Sequence, residues 1–515
     1  METIYVLWQE RGMDVAEIRR VGRGLEAYLA EFSDCFGRCD TESYLEVYVE
    51  GQNSDLQRKS AEPIALRAGI VPRSLQVFLG SANWDEQRMI DRVQENVARD
   101  HSHPYAIGSV DETGSAKKGV HTACVQRQWN GNRGKVDNCV VSVHLGYTVG
   151  RFHSLLDGDL FLPKSWANDR KRRERAGIPD DVTHRSKPQI ALAQIQRALR
   201  NGIRVGAWTF DEHYGQSYAF LDGLDALGQT YVAEVPCDFH GWALAPRVLY
   251  RATPQEMRRK GRKRRYSRLA KTAAKASEIR NLLNHSPSFT DQSWTPIHIK
   301  DGEKGPMVRE VKVIEFRMQR DGLPTRPHWL IAARNPEEPG DVKFFVSNAS
   351  GGTPLEWLVY VAYSRWPIEQ CFKEEKDELG FDHFEVRGWR SIHRHMALTQ
   401  VSHLYLNKMR EQLIAEEHVE EEAGVFSLPR SRRQSPHIPR RKPYAQPDSR
   451  CPGRLVPSLA LGPGWPSASA GARRMAHQLH PKPQRRRQDR PSEKNAQETT
   501  KTGYRSGPNT DLCRK

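Results

Sequence analysis

From His103 onward the apolar residues change period several times, and the order of those changes limits the folds open to this chain. PYAIGSVDET, HTACVQRQW and NCVVSVHLGYTV alternate or run apolar as strands do. KPQIALAQIQRALRNG then spaces its apolar residues as a helix, with Pro188 near its start and Gly202 beyond its end. IRVGAWTFDEHYG returns to strand character and stops at Asp211. The order is strand, strand, strand, helix, strand, and it puts Asp111 and Asp211 at the ends of the first and fourth strands. The stretch after Asp111, ETGSAKKG, reads as a loop without Walker spacing.

That order predicts an α/β fold of the RNase H-like kind, a mixed sheet whose first and fourth strands are neighbours, so that Asp111 and Asp211 meet from one hundred residues apart. A third carboxylate is offered by YSRWPIEQCFKEEK, Tyr363 to Lys376. As a helix this stretch sets Arg365, Glu369, Phe372 and Lys376 in one stripe, a carboxylate between two cations. Pro367 falls in its first turn and Leu379-Gly380 supplies the stop. Spacing alone favours an ordinary Arg365–Glu369 surface pair. Asp157 and Asp159 are rival second carboxylates but flank what reads as an irregular SLLDGDLF turn. His213 and Tyr214 read as exposed loop residues.

The 515 residues carry a formal net charge of +16, which calls for a polyanionic partner, nucleic acid first. The eight cysteines show no CxxC pair and no metal-ligand rhythm, so they read as reduced thiols of a cytoplasmic protein with access to the nucleoid. No apolar run is long enough for a membrane span. Residues 1–100 read as a helical DNA-binding domain. In it PIALRAGIVPRSLQVFL is either a helix-turn-helix or two packed helices about Gly69, and Arg58, Lys59, Arg67 and Arg73 form a cationic side. Residues 101–235 read as the first part of the α/β core, with 152–187 a loop-rich excursion whose run DRKRRER is placed on DNA. Residues 236–350 read as a β-rich insertion entered through a cationic helix, where Arg262, Lys263, Arg264 and Arg265 beside Tyr266 suit nucleic-acid backbone neutralisation and stacking. Trp242, Trp294 and Trp329 of this insertion are candidates to stack on an extruded base. Residues 351–423 complete the core, and 424–515, dense in Pro, Arg, Ser and Gln, read as a disordered basic tail.

Three motifs in order, VDETG, DEHYG and RWPIE followed by Lys376, resemble the DDE-type insertion-sequence transposases of the Tyr-Arg-Glu-Lys branch. The Arg stands four before the Glu and the Lys seven after it, as in that family; the usual tyrosine position holds Ala362, with Tyr363 next to it. The resemblance spans roughly residues 50 to 400 and includes LPKSWA and RSKPQIALAQ. It implies an RNase H-like catalytic domain interrupted by a β-rich insertion, and a metal-binding set of Asp111, Asp211 and Glu369 for two Mg²⁺, with Mn²⁺ as a substitute. It also implies Arg365, Lys376 and Tyr363 on DNA phosphates, cleavage and strand transfer at terminal inverted repeats, and a homodimer on double-stranded DNA. The competing expectation is a non-catalytic DNA-binding protein derived from a truncated or frameshifted transposase.

Overall fold

The structure, a computed structural model, describes residues 24–302 and 305–422. The predicted basic tail lies outside these residues. Residues 24–30 are helical and are followed by α1 (Cys39–Gln52), α2 (Ala61–Arg67), α3 (Pro72–Gly80) and α4 (Glu86–Asp100). Asp85 starts α4 by accepting from the backbone N–H of Gln87 and Arg88, donors that the first turn leaves free. Helices α2 and α3 meet at Gly69, whose φ of 69° is left-handed. The expected cationic side is only partly available: Lys59 is buried and donates to the carbonyls of Gln52 and Glu378, while Arg58 pairs with Glu385 at 2.7 Å.

The sheet begins with β1 (Ile107–Ala116), β2 (Gln126–Asn130), β3 (Lys135–Val149) and β4 (Phe152–Leu160). Two short helices, α5 (Lys164–Ala167) and α6 (Arg170–Ala176), lead to α7 (Lys187–Arg200), β5 (Ala207–Phe210), α8 (Glu212–Gly215), α9 (Tyr218–Ala226) and β6 (Tyr231–Glu234). Strand β3 pairs antiparallel with β1 and β4, while β1, β5 and β6 run parallel. The mixed order β4-β3-β1-β5-β6 is the RNase H-like sheet, and the two aspartates lie on neighbouring strands. Ser186 and Gln189 close a capping box on α7, with Pro188 in its first turn.

Four local expectations change. SLLDGDLF is strand β4 rather than a turn, since Phe152, Leu155, Leu156 and Leu160 all find buried positions. ETGSA continues β1 rather than forming a loop, because β3 pairs it as far as Ala116↔Cys139. Asp111 therefore sits mid-strand; what ends beside it is the parallel ladder, at Val110↔Phe210. DRKRRER is α6, capped by Asp169, with Arg172 laid over Trp166 at 3.8 Å.

The β-rich insertion expected over 236–350 contains β7 (His240–Trp242), the two-residue strands β8 (Val248–Leu249), β9 (Arg268–Leu269) and β10 (Ser277–Glu278), and then β11 (Thr295–Gly302), β12 (Gly305–Arg320), β13 (Leu323–Pro324), β14 (His328–Asn335) and β15 (Glu338–Ser347). All but β8 and β9, which pair only with each other, extend the same sheet, because β15 pairs antiparallel with β6. The cationic helix does not form beyond α10 (Pro254–Met257); α11 (Ile279–His285) and α12 (Pro287–Thr290) follow before β11. Like charges three and four apart repel along a helix, and Gly261 takes a φ of 106°.

The chain closes with α13 (Leu355–Ala362), α14 (Trp366–Asp377) and α15 (Trp389–Glu422). Helices α7 and α9 pack on one sheet face; α13 buries Leu358, Val359 and Val361 against Ile107, Ala207 and Ile331 on the other. Buried Arg394 of α15 donates to the carbonyls of Phe78 and Trp84 and to Glu86, fastening the N-terminal helices to the core. No described helix is long and apolar enough to cross a membrane.

Candidate active site

Asp111 projects from β1 where β5 stops, and Asp211 is the first residue past β5. The Asp211 carboxylate accepts from the backbone N–H of His213 at 2.9 Å and of Tyr214 at 3.4 Å, so it caps α8 with its side chain held in place. Gly215 permits this turn, because a Cβ there would stand 1.9 Å from the carbonyl of Glu234 on β6. The third carboxylate comes from α14. Pro367 occupies its first turn, Gly380 follows its end with a φ of 71°, and Ile368, Cys371 and Phe372 pack its inner face against Leu155 of β4.

The Arg365 guanidinium connects these elements. One amino group donates to Asp111 Oδ2 at 2.6 Å and the other pairs with Glu369 Oε1 at 3.0 Å. Arg365 thus holds a β1 carboxylate and an α14 carboxylate in one planar fork. Burial pushes the Asp111 carboxyl up to about 7; Arg365 opposes that, while Asp211 and Glu112 add to it. Asp211 is also raised, by burial and by Glu112, with Arg365 opposing. Glu369 is more than half exposed at its side chain, open to an incoming group.

Lys376, two turns on, donates to Thr113 Oγ1 of β1 at 2.5 Å, and burial lowers its ammonium to about 8. Tyr363 ends α13 and turns toward the insertion: its ring lies 5.6 Å from Phe345 and 5.1 Å from the Arg309 guanidinium. Arg262, Arg264 and Arg265 are exposed and Lys263 half-buried; Arg264 bonds the Tyr250 carbonyl and pairs with Glu256. Asp157 and Asp159 are engaged elsewhere, Asp157 with Gln94 and Arg197, Asp159 with Arg185 and His393. Among the insertion tryptophans, Trp242 is buried and bonds the Ala274 carbonyl, while Trp294 lies against Arg334 at 4.0 Å.

Glu112 and Trp366 of the site went unread in the sequence, and Tyr214 is placed differently from its expected exposed position. Glu112 accepts from the Tyr214 hydroxyl at 2.8 Å and pairs with Lys187. Strand alternation assigns Glu112 to the face opposite Asp111, which hid it. Tyr214, expected in an exposed loop, is fully buried through this bond; its signal is its place in DEHYG. Trp366, beside Arg365, is 47% exposed with Lys300 4.1 Å from its ring.

The sequence matches the DDE superfamily endonuclease family over residues 31–306, more than half of the chain. The chain belongs to that family. It is also 26% identical over 342 residues to the probable transposase for insertion sequence element IS701 of Microchaete diplosiphon, a match covering 66% of this chain and 75% of that protein. Both comparisons agree with the resemblance carried by the motifs. The family match contains Asp111 and Asp211 and stops before Glu369; in this DDE endonuclease the helix bearing Glu369 is brought to them by the fold and by Arg365. DDE endonucleases generally use divalent metal ions. The donor set fits such ions: hard carboxylate oxygens, two of them on buried aspartates whose ionisation is opposed by burial and by acidic neighbours, which a cation relieves.

Proposed function

We propose that this chain is the transposase of an insertion sequence, which binds the terminal inverted repeats of its element, cleaves the DNA there and joins the ends to a target. The observation that carries this reading is the Arg365 fork, which gathers Asp111 and Glu369 beside Asp211. Asp111, Asp211 and Glu369 would hold two Mg²⁺, with Mn²⁺ as a substitute, and when bound these ions supply charge stabilisation on the attacking and leaving oxygens of an in-line displacement at phosphorus. Arg365 offers a bidentate match to a non-bridging phosphate edge, and Lys376 a point charge on the same helix face. The cations Arg262, Lys263, Arg264 and Arg265, with Tyr363 and Trp366, extend the contact along DNA. The +16 charge gives such binding its long-range attraction. Two ends must be brought together, so the active species is a homodimer, working in the cytoplasm on nucleoid DNA.

The test is incubation of the purified chain with Mg²⁺ and a linear fragment carrying the native gene borders. Cleavage and joining at the borders are expected from the wild type. Asp111→Asn, Asp211→Asn and Glu369→Gln should each lose cleavage by at least about a thousandfold while retaining DNA binding. If any one of the three cuts at the wild-type rate, the metal-binding assignment is wrong. A wild type that binds the borders and never cuts them instead makes the chain a non-catalytic DNA binder.

A further inference from the structure

The face of α14 turned away from Glu369 carries a second cluster of chemistry-bearing side chains. Two residues turn a helix by about 200°, so Cys371 lies behind Glu369, and Glu374 and Glu375 follow on the inner side. Cys371, His153 of β4 and His403 of α15 each bring a ligand-type atom within 4.8 Å of the others. Cys371 and His403 are 1% exposed, and the His153 side chain 11%. Two carboxylates are buried with them. Glu374 Oε2 lies 3.1 Å from His153 Nε2 and 2.9 Å from His403 Nε2; its Oε1 takes Gln370 at 3.0 Å and Arg410 at 3.1 Å. Glu375 is 1% exposed, and neither of its oxygens has a hydrogen bond; its Oε1 lies 3.7 Å from His403 Nδ1, itself without one.

Such a cluster is unbalanced. Two buried carboxylates face one guanidinium, and two imidazoles aim nitrogens at the same carboxylate oxygen. The geometry also presents one histidine as a ligand: His153 Nδ1 lies 3.2 Å from the Arg151 carbonyl, a bond that fixes the ring with Nε2 directed into the cluster. A thiolate, two imidazoles and a carboxylate are the donors and the number that tetrahedral zinc takes.

We propose that Cys371, His153, His403 and a buried carboxylate of α14 bind a structural Zn²⁺ that fastens the back of α14 to β4 and α15. The ion is distinct from any held by Asp111, Asp211 and Glu369. It would fix the axial position of the helix whose front face bears Arg365, Glu369 and Lys376.

The test is the metal content of the full chain, purified without chelator and desalted after incubation with zinc, measured by inductively coupled plasma mass spectrometry. About one zinc per chain is expected for the wild type and for Asp111→Asn, with loss of that ion in Cys371→Ser and His403→Gln. A wild type without zinc overturns the proposal and leaves a histidine–carboxylate hydrogen-bond network in its place. Retention of the ion by both variants overturns it as well. Should the variants fail to fold, cobalt in the wild type decides: a thiolate-to-cobalt charge-transfer band supports the site, and a cobalt-loaded chain without one excludes Cys371. None of these readouts depends on DNA cleavage, so failure here leaves the transposase reading untouched.

Discussion

Asp111 carries opposing demands. To hold a metal ion, as proposed, it must be ionised, yet burial raises its carboxyl to about 7 against about 4 in an unfolded chain. Between those values the folded chain keeps a proton that the unfolded chain has released, so without metal this residue costs stability as pH rises from about 4 through about 7. Asp111→Asn removes that cost while keeping an acceptor for Arg365. In chelator the variant should melt above the wild type at pH 8, with the gain largely gone near pH 5; equal melting shifts at the two pH values, or a loss at pH 8, would contradict this. The two aspartates were legible because strand patterning and a carboxylate beyond an apolar run are local signals. Glu112 and Tyr214 were not, since their bond joins side chains 102 positions apart and its partner choice depends on strand twist.

At the scale of elements, the α8 turn shows how tightly backbone packing positions the Asp211 carboxylate. Asp211 caps a four-residue helix, and Gly215 ends it against β6. A Cβ at 215 would meet the Glu234 carbonyl at 1.9 Å, a backbone atom that no rotamer change can move. Gly215→Ala should therefore destabilise the chain by about 3 kcal/mol and shift the Asp211 cap. Chemical denaturation and DNA cleavage should fall together, whereas Gly119→Ala, where a Cβ meets nothing within 4 Å, should change neither. Helix α14 was readable from Pro367, the spacing of Arg365, Glu369 and Lys376, and Gly380. Strand β4 was not: Asp157 and Asp159 broke its apolar run, and only their burial with Arg197, Arg185 and His393 makes them compatible with a strand.

Across the whole molecule, the Asp100 carboxylate joins the end of α4 to α15. Asp100 is held by Arg99 at 2.6 Å and by Lys408 at 2.8 Å, and Arg99 also reaches Glu31 at 2.9 Å. The Arg99 bond, with Lys408 adding to it, draws the Asp100 carboxyl down to about 2 against the opposing effect of burial. A lowered carboxyl contributes stability above its unfolded value of about 4 and loses it as pH falls toward about 2. The contribution is about 1 kcal/mol after solvent screening, because Arg99 is half exposed. Asp100→Asn should lower the urea midpoint at pH 7, and its difference from the wild type should shrink by pH 3. The test separates an ionic clip from mere packing, since a packing defect would cost the same at both pH values. Because Lys408 lies five residues beyond His403 on α15, a loosened clip also frees the helix that closes the cluster behind α14, and the Asp100→Asn chain should lose any zinc bound there to chelator faster than the wild type.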